Sequence, residues 1–113
     1  MHEYSIVQSL IESCEENARV NNSTKITKVV VKIGVMSGIE PQLLQTAFDT
    51  FKEYSICSTA EFIINMQPVT INCLKCEKES ILSKNEYSCP LCNSVELDVI
   101  DGEDMYLMQL EMV

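Results

Sequence analysis

Two cysteine motifs, CLKC at residues 73–76 and CPLC at residues 89–92, decide how this chain of 113 residues is organised. The two-residue gap within each motif lets both thiolates bind one metal ion, and the twelve residues between the motifs let the second pair close a tetrahedron. Zn²⁺ favours four such ligands and would be structural here, because four cysteines leave no open coordination position. The predicted zinc ligands are Cys73, Cys76, Cys89 and Cys92.

Two other chemistries fit the same cysteines. Disulfide bonds need an oxidising compartment, but the start MHEYSIV has no basic segment leading into an apolar one, so we expect a cytoplasmic protein. Rubredoxin-like iron sites also use two such motifs. Those sites usually carry a glycine after each motif, whereas Glu77 and Asn93 stand at these positions here. Zinc is therefore the preferred interpretation.

The segments outside the motifs alternate between helical and strand patterns. Apolar residues recur at helical spacing from Ile6 to Ala18, and they alternate from Val29 to Val35 as in a half-buried strand. A second helix is predicted to begin at Pro41 and to end near Tyr54 or Ser55, with a buried stripe. The stripe consists of Leu44, Ala47, Phe48 and Phe51.

Strand patterns flank the cysteine motifs on both sides. Residues 61–72 alternate but are interrupted at Pro68, and residues 95–100 form a strand before a turn at Asp101-Gly102. The last strand is predicted to bury one face, made of Tyr106, Met108, Leu110 and Met112. Cys14 lies on the first helical stripe as a buried structural thiol, and Cys57 is predicted to be a free thiol in a loop.

This order of elements predicts an α+β protein in which a small mixed sheet packs with two helices. A zinc-ribbon module, with a metal site made of four cysteines, is inserted before the last strands. We expect residues 1–72 and 93–113 to form the α+β domain and residues 73–92 to form the zinc-binding module.

Composition and charge exclude several functions. The net charge of -9 would repel nucleic-acid phosphates and anionic lipids, and no run approaches the roughly 18 apolar residues of a membrane span. A single histidine and three glycines allow neither a Ser/His/Asp triad nor a glycine-rich phosphate loop. We therefore do not expect an enzyme.

The single histidine, His2, follows the first residue of the chain. The Met1 amine, the His2 amide, the His2 imidazole and the Glu3 amide can offer four nitrogens in one plane, which suits Ni²⁺ or Cu²⁺ and suits Zn²⁺ poorly. A histidine near a terminus is more often only solvated. The chemistry of these residues alone leaves both interpretations open.

The start Met-His-Glu, a strand ending in Lys32-Ile33-Gly34, and the two cysteine motifs together resemble the HypA/HybF family. These proteins are nickel metallochaperones for maturation of [NiFe]-hydrogenase and, in some bacteria, of urease. The resemblance covers nearly the whole chain. It implies nickel ligation by Met1, His2 and Glu3, with Glu40 as a weaker candidate, and structural zinc on the four motif cysteines.

The resemblance also implies partners: a HypB GTPase, the [NiFe]-hydrogenase large subunit and, as a further client, urease maturation proteins. Some relatives carry histidines beside the zinc motifs, which this chain lacks, so a histidine-dependent switch at the zinc is not expected. Two rival functions remain open. One is a zinc-ribbon adaptor that only binds proteins, and the other is a rubredoxin-like electron carrier.

Overall fold

The computed structural model describes residues 2–82 and 86–113. Over those residues it has two α helices, a 3₁₀ turn and six strands. In chain order they are α1 (His2–Val20), β1 (Ile26–Gly34), α2 (Pro41–Phe51), the 3₁₀ turn (Lys52–Tyr54), β2 (Glu61–Gln67), β3 (Thr70–Cys73), β4 (Glu79–Ile81), β5 (Leu97–Asp101) and β6 (Met105–Met112). The strands form two three-stranded sheets, in the orders β2-β1-β6 and β4-β3-β5. The predicted α+β class is confirmed. Neither described helix has the length and apolar character needed to cross a membrane.

The chain divides into two compact units. The first comprises Met1–Lys32, Ile39–Asn65 and Tyr106–Val113, and the second comprises Ile33–Gly38 and Met66–Met105. The second unit contains all four motif cysteines together with β3, β4 and β5.

The core of the first unit follows the predicted periodicities. The apolar stripe of α1 is buried at Val7, Leu10, Ile11, Cys14 and Ala18, and the inward face of β1 is buried at Val29 and Val31. On α2, Phe48 is fully buried and stacks on Phe62 with ring centroids 4.2 Å apart. Burying one such side chain contributes roughly 1.5–3 kcal/mol, so these stripes hold the helices in place.

Two apolar residues at element ends are more exposed than predicted. Phe51, the last residue of α2, is 37% exposed and meets the Tyr4 ring edge-on at 5.4 Å. Val35 is 53% exposed because β1 ends at Gly34, and the strand alternation no longer directs the next side chain inward. The predicted start of α2 at Pro41 is confirmed.

The predicted buried face of the last strand is wrong at two positions. Tyr106 and Met108 are 46% and 55% exposed. The reason is a one-residue shift in the alternation of β6. Met105 and Leu107 are half-buried in its first half and Leu110 and Met112 in its second half, whereas Met108 and Gln109 are exposed in succession. The Lys32 ammonium lies 5.2 Å from the centre of the Tyr106 ring, a cation–π contact.

The second unit is a small antiparallel sheet. β3 pairs with β4 and with β5, so that Thr70 lies opposite Ile81 and Cys73 lies opposite Leu97. Pro68 interrupts the chain as predicted, since β2 and β3 end up in different sheets. So small a sheet needs further support, which a bound metal can give. A small cluster of buried residues in the described part of the unit consists of Val69, Ile71, Cys73, Leu82 and Cys89.

Two glycines in this unit approach each other closely. The Gly34 N–H donates to the Asp104 carbonyl at 2.9 Å, and the Met36 N–H donates to the Gly102 carbonyl at 2.8 Å. A Cβ on Gly34 would lie 2.2 Å from the carbonyl carbon and oxygen of Gly102. Only a residue without a side chain fits at position 34.

Candidate metal centre

The four motif cysteines converge as predicted. Their sulfurs all lie within 4.8 Å of one another. The Cys73 and Cys92 sulfurs are 3.6 Å apart, and the Cys76 and Cys89 sulfurs are 3.7 Å apart. A tetrahedron with metal–sulfur bonds of about 2.3 Å has edges of about 3.8 Å, whereas a disulfide bond is about 2.05 Å long. The spacing therefore fits one tetrahedral metal ion and does not fit disulfides.

Each of the two motifs is held by an equivalent backbone hydrogen bond. The Cys73 N–H donates to the Lys78 carbonyl at 3.0 Å, and the Cys89 N–H donates to the Ser94 carbonyl at 2.8 Å. In both motifs this bond joins the first cysteine to the residue five positions later. The tight turn that results has the form of a knuckle that can hold a metal ion, and we call residues 73–78 and 89–94 the two knuckles.

Each knuckle contains a residue with left-handed backbone. Glu77 has φ +60° and Asn93 has φ +64°, and their N–H groups donate to the carbonyls of Cys73 and Cys89, both at 2.8 Å. These are the positions at which rubredoxin-like iron sites usually carry glycine. Because both residues adopt the conformation that glycine favours, the absence of glycine does not distinguish zinc from iron.

Backbone N–H groups also point at the sulfurs. The Cys76 N–H donates to the Cys73 sulfur at 3.5 Å, and the Leu91 N–H donates to the Cys89 sulfur at 3.4 Å. The Cys76 N–H is the largest cause that lowers the pKa of Cys73 to about 6. Such bonds stabilise a thiolate, which is the form that binds metal.

Two of the other knuckle thiols resist ionisation when no metal is bound. A backbone N–H of Lys78 lowers the pKa of Cys76, but desolvation and the neighbouring cysteine side chains outweigh it and raise the pKa to about 11. A backbone hydrogen bond from Ser94 lowers the pKa of Cys92, but desolvation and the side chains of Cys73 and Cys89 outweigh it, so the pKa is raised. A metal ion would therefore displace protons as it binds, which makes its affinity depend on pH.

The other two cysteines lie apart from this cluster. Cys14 is fully buried, which confirms the prediction for that residue, and Cys57 lies in the turn at 56–59. Its side chain is also fully buried, which the sequence pattern did not predict. A hydrogen bond between the two thiols raises the pKa of Cys14 and lowers that of Cys57.

The structure brings Glu3 and Glu40 together at the start of α2. Glu3 is only 6% exposed, and its Oε2 accepts a hydrogen bond from the Glu40 N–H at 3.2 Å. The Glu40 carboxylate in turn caps α2 by accepting from the Gln42 N–H at 3.3 Å. Met1 lies outside the described residues, as does the side chain of His2. Sequence reasoning missed the Glu3–Glu40 contact, although an acidic residue before Pro41 is a recognisable helix cap.

The Glu3 carboxylate is ionised over the whole neutral range. Its pKa is lowered from 4.5 to about 2, first by a hydrogen bond with the amino terminus and then by the backbone N–H groups of Glu3 and Glu40, while desolvation opposes the shift. A fixed negative charge thus lies beside the start of α1, where its interaction with the positive end of the helix dipole is favourable.

Comparisons with known proteins agree with these features. A family profile described as "Hydrogenase/urease nickel incorporation, metallochaperone, hypA" matches residues 1–112. The chain is 59% identical over 112 residues to the hydrogenase maturation factor HypA of Shewanella baltica (strain OS185), and the match covers 99% of this chain and 96% of that protein. It is 51% identical over 113 residues to the factor of the same name from Campylobacter jejuni, with 99% of each chain covered.

Solved structures show the same fold. The solution structure of the Ni metallochaperone HypA from Helicobacter pylori matches with a TM-score of 0.72 and 37% identity, over 98% of this chain and 97% of that one. A second solution structure of a HypA protein matches with a TM-score of 0.77 and 39% identity, over 100% of this chain and 97% of that one. This chain therefore belongs to the HypA family.

Proposed function

We propose that this chain is a nickel metallochaperone, which binds Ni²⁺ near its amino terminus and delivers it for maturation of [NiFe]-hydrogenase. The family match supports the activity. The buried Glu3 carboxylate supports the location of the nickel site. Its contact with the Glu40 N–H fixes the first turn of α1 against the start of α2. A cargo site built on that turn would keep a defined position although it lies at the beginning of the chain.

The proposed nickel ligands are the Met1 amine, the amide and imidazole nitrogens of His2, and the Glu3 amide. The first amides of a helix have no acceptor within the helix, and α1 begins at His2, so no helical hydrogen bond competes with a metal ion for these nitrogens. The Glu3 N–H instead donates to the Glu3 carboxylate, a contact that nickel ligation would replace. Planar nitrogen ligation suits Ni²⁺. The Glu40 carboxylate is exposed and lies near Glu3, and it is the weaker candidate for a further ligand.

The four knuckle cysteines would hold Zn²⁺ as a structural ion. The zinc ion would be structural and not catalytic, because four thiolates fill its tetrahedral coordination. The buried core described for the second unit is small, so the ion would supply much of that unit's stability. The proposed nickel-binding and zinc-binding roles thus fall on the first and second units.

The proposed partners follow the family. They are a HypB GTPase and the [NiFe]-hydrogenase large subunit, with urease maturation proteins as a second client. Six reduced cysteines suit a cytoplasmic location, and the net charge of -9 argues against nucleic acid or anionic membranes as partners. The proposal contains no catalytic step.

The test compares four untagged proteins: the native chain, His2→Ala, a chain extended by one residue before Met1, and Ser5→Ala. Ser5 is exposed on α1 and supplies none of the proposed ligands, so that variant is the matched control. Metal analysis should find one zinc per chain in all four. Titration with Ni²⁺ should produce a yellow planar-site absorption only in the native chain and in Ser5→Ala.

Three outcomes would contradict parts of this assignment. Normal nickel affinity in His2→Ala would exclude the amino-terminal site. A chain that contains zinc but shows no nickel binding dependent on its amino terminus would favour the adaptor function. A red protein that contains iron would favour the electron carrier, because ferric tetrathiolate is coloured and Zn²⁺ is not.

A further inference from the structure

The four knuckle cysteines differ in their exposure to solvent. Cys73 and Cys89 are fully buried, Cys76 is half-buried and Cys92 is exposed. The sulfur of Cys92, the exposed residue, lies 3.6 Å from the sulfur of Cys73, a fully buried one. In the zinc-loaded cluster the ion would hold both sulfurs as thiolates, and a solvent-facing thiolate beside a second thiolate is the arrangement found in cysteines that respond to oxidants.

We propose that the zinc-loaded cluster is a site of oxidative modification by hydrogen peroxide. Cys92 reacts first, Cys73 resolves the product to a Cys73–Cys92 disulfide, and the zinc ion is released. This inference rests on the zinc assignment made under the proposed function, and it does not depend on the nickel site.

Both chemical steps balance. In the first, the Cys92 thiolate attacks one peroxide oxygen, a sulfur–oxygen bond forms, the oxygen–oxygen bond breaks and hydroxide leaves, which yields a sulfenic acid. In the second, the Cys73 thiolate attacks the Cys92 sulfur, the disulfide bond forms and a second hydroxide leaves. Two thiolates are oxidised by two electrons, and one hydrogen peroxide is reduced to two hydroxide ions.

Exposure and distance select this pair over its rivals. The Cys76 and Cys89 sulfurs are almost as close, at 3.7 Å, but neither cysteine is as open to solvent as Cys92. A peroxide molecule therefore meets Cys92 first, and the Cys73 sulfur lies 3.6 Å from the Cys92 sulfur. Once these two sulfurs are bonded to each other, only two thiolates remain for the ion, and Zn²⁺ favours four ligands.

The chain contains its own control for specificity. Cys14 and Cys57 lie next to each other in the first unit, and both are fully buried. If proximity alone governed oxidation, this pair would be oxidised as readily as the knuckle pair. If exposure governs it, Cys14 and Cys57 stay reduced while the zinc is released.

The experiment uses the full zinc-loaded chain. Its zinc content is measured first, and hydrogen peroxide is then added in steps while a metallochromic dye reports free zinc. Remaining thiols are blocked with N-ethylmaleimide in denaturant, and peptide mapping identifies the disulfides. The expected result is loss of one zinc per chain, in step with the Cys73–Cys92 disulfide, with Cys14 and Cys57 still alkylated.

A second measurement needs no oxidant. Brief treatment of the folded, zinc-loaded chain with N-ethylmaleimide should label Cys92 before any other cysteine. First labelling at any cysteine other than Cys92, a first disulfide between any other pair, or zinc that stays bound at excess peroxide would overturn the proposal. A chain purified without zinc would instead refute the zinc assignment itself, so the two failures are distinguishable.

Discussion

Replacing Glu77 with glycine should stabilise the metal-loaded second unit. At φ +60° the Cβ of an L-residue crowds the following carbonyl oxygen, which costs roughly 1–2 kcal/mol. Glycine avoids this cost but loses more backbone freedom on folding, which costs roughly 0.5–1 kcal/mol. The difference favours Glu77→Gly by about 0.5–1 kcal/mol. Because metal binding is coupled to folding in small metal-stabilised units, zinc affinity should rise about two- to fivefold.

The measurement is competition for zinc against a chromophoric chelator at fixed pH. Two variants are the controls. Asn93→Gly changes the equivalent residue of the second knuckle, at φ +64°, but asparagine tolerates this conformation and the gain should be smaller. Lys75→Gly changes a residue of the same knuckle without positive φ, and it should weaken binding. If Glu77→Gly weakened binding as much as Lys75→Gly, the reasoning from the left-handed conformation would be refuted.

Three further changes test the fold. Because the folded-state pKa of Glu3 is lowered from 4.5 to about 2, its ionised carboxylate stabilises the protein fully above pH 4.5 and less as the pH falls toward 2. Urea unfolding between pH 2 and pH 6 measures this pH-dependent part of the free energy of unfolding, which should be missing in Glu3→Gln. The same pH profile in Glu3→Gln and in the native chain would contradict the prediction. Gly34→Ala should lower the free energy of unfolding by about 1–3 kcal/mol or more, because the added methyl meets backbone atoms that cannot rotate away. Phe48→Ala should cost about 3–5 kcal/mol, whereas Leu43→Ala at an exposed site of α2 should change stability by less than about 0.5 kcal/mol in the same assay.

Much of the first unit was predictable because its elements each have one buried face. The stripe from Val7 to Ala18 on α1 and the alternation of Val29 and Val31 on β1 need no knowledge of their neighbours. The knuckles were predictable for another reason. The spacing of the cysteines by itself indicates a tetrahedral site with four cysteine ligands, because both pairs can then reach one metal ion.

Other features depend on contacts between distant parts of the chain. Tyr106 and Met108 are exposed because the alternation of β6 shifts by one residue after Met108, and apolar residues on both faces of its first half hide that shift in the sequence. The contact between Glu3 and Glu40 joins residues 37 positions apart. The burial of Cys57 against Cys14 likewise follows from packing rather than from local sequence.

The N–H groups that point at sulfur give this protein a built-in spectroscopic reporter. The amide protons of Cys76 and Leu91 lie against the Cys73 and Cys89 sulfurs. Any change in the charge on those sulfurs, whether from a lost ion, an exchanged ion or a new bond, alters the shielding of these two amide protons. With one reporter in each knuckle, an amide NMR spectrum can follow the two halves of the cluster separately, without a label attached to the protein.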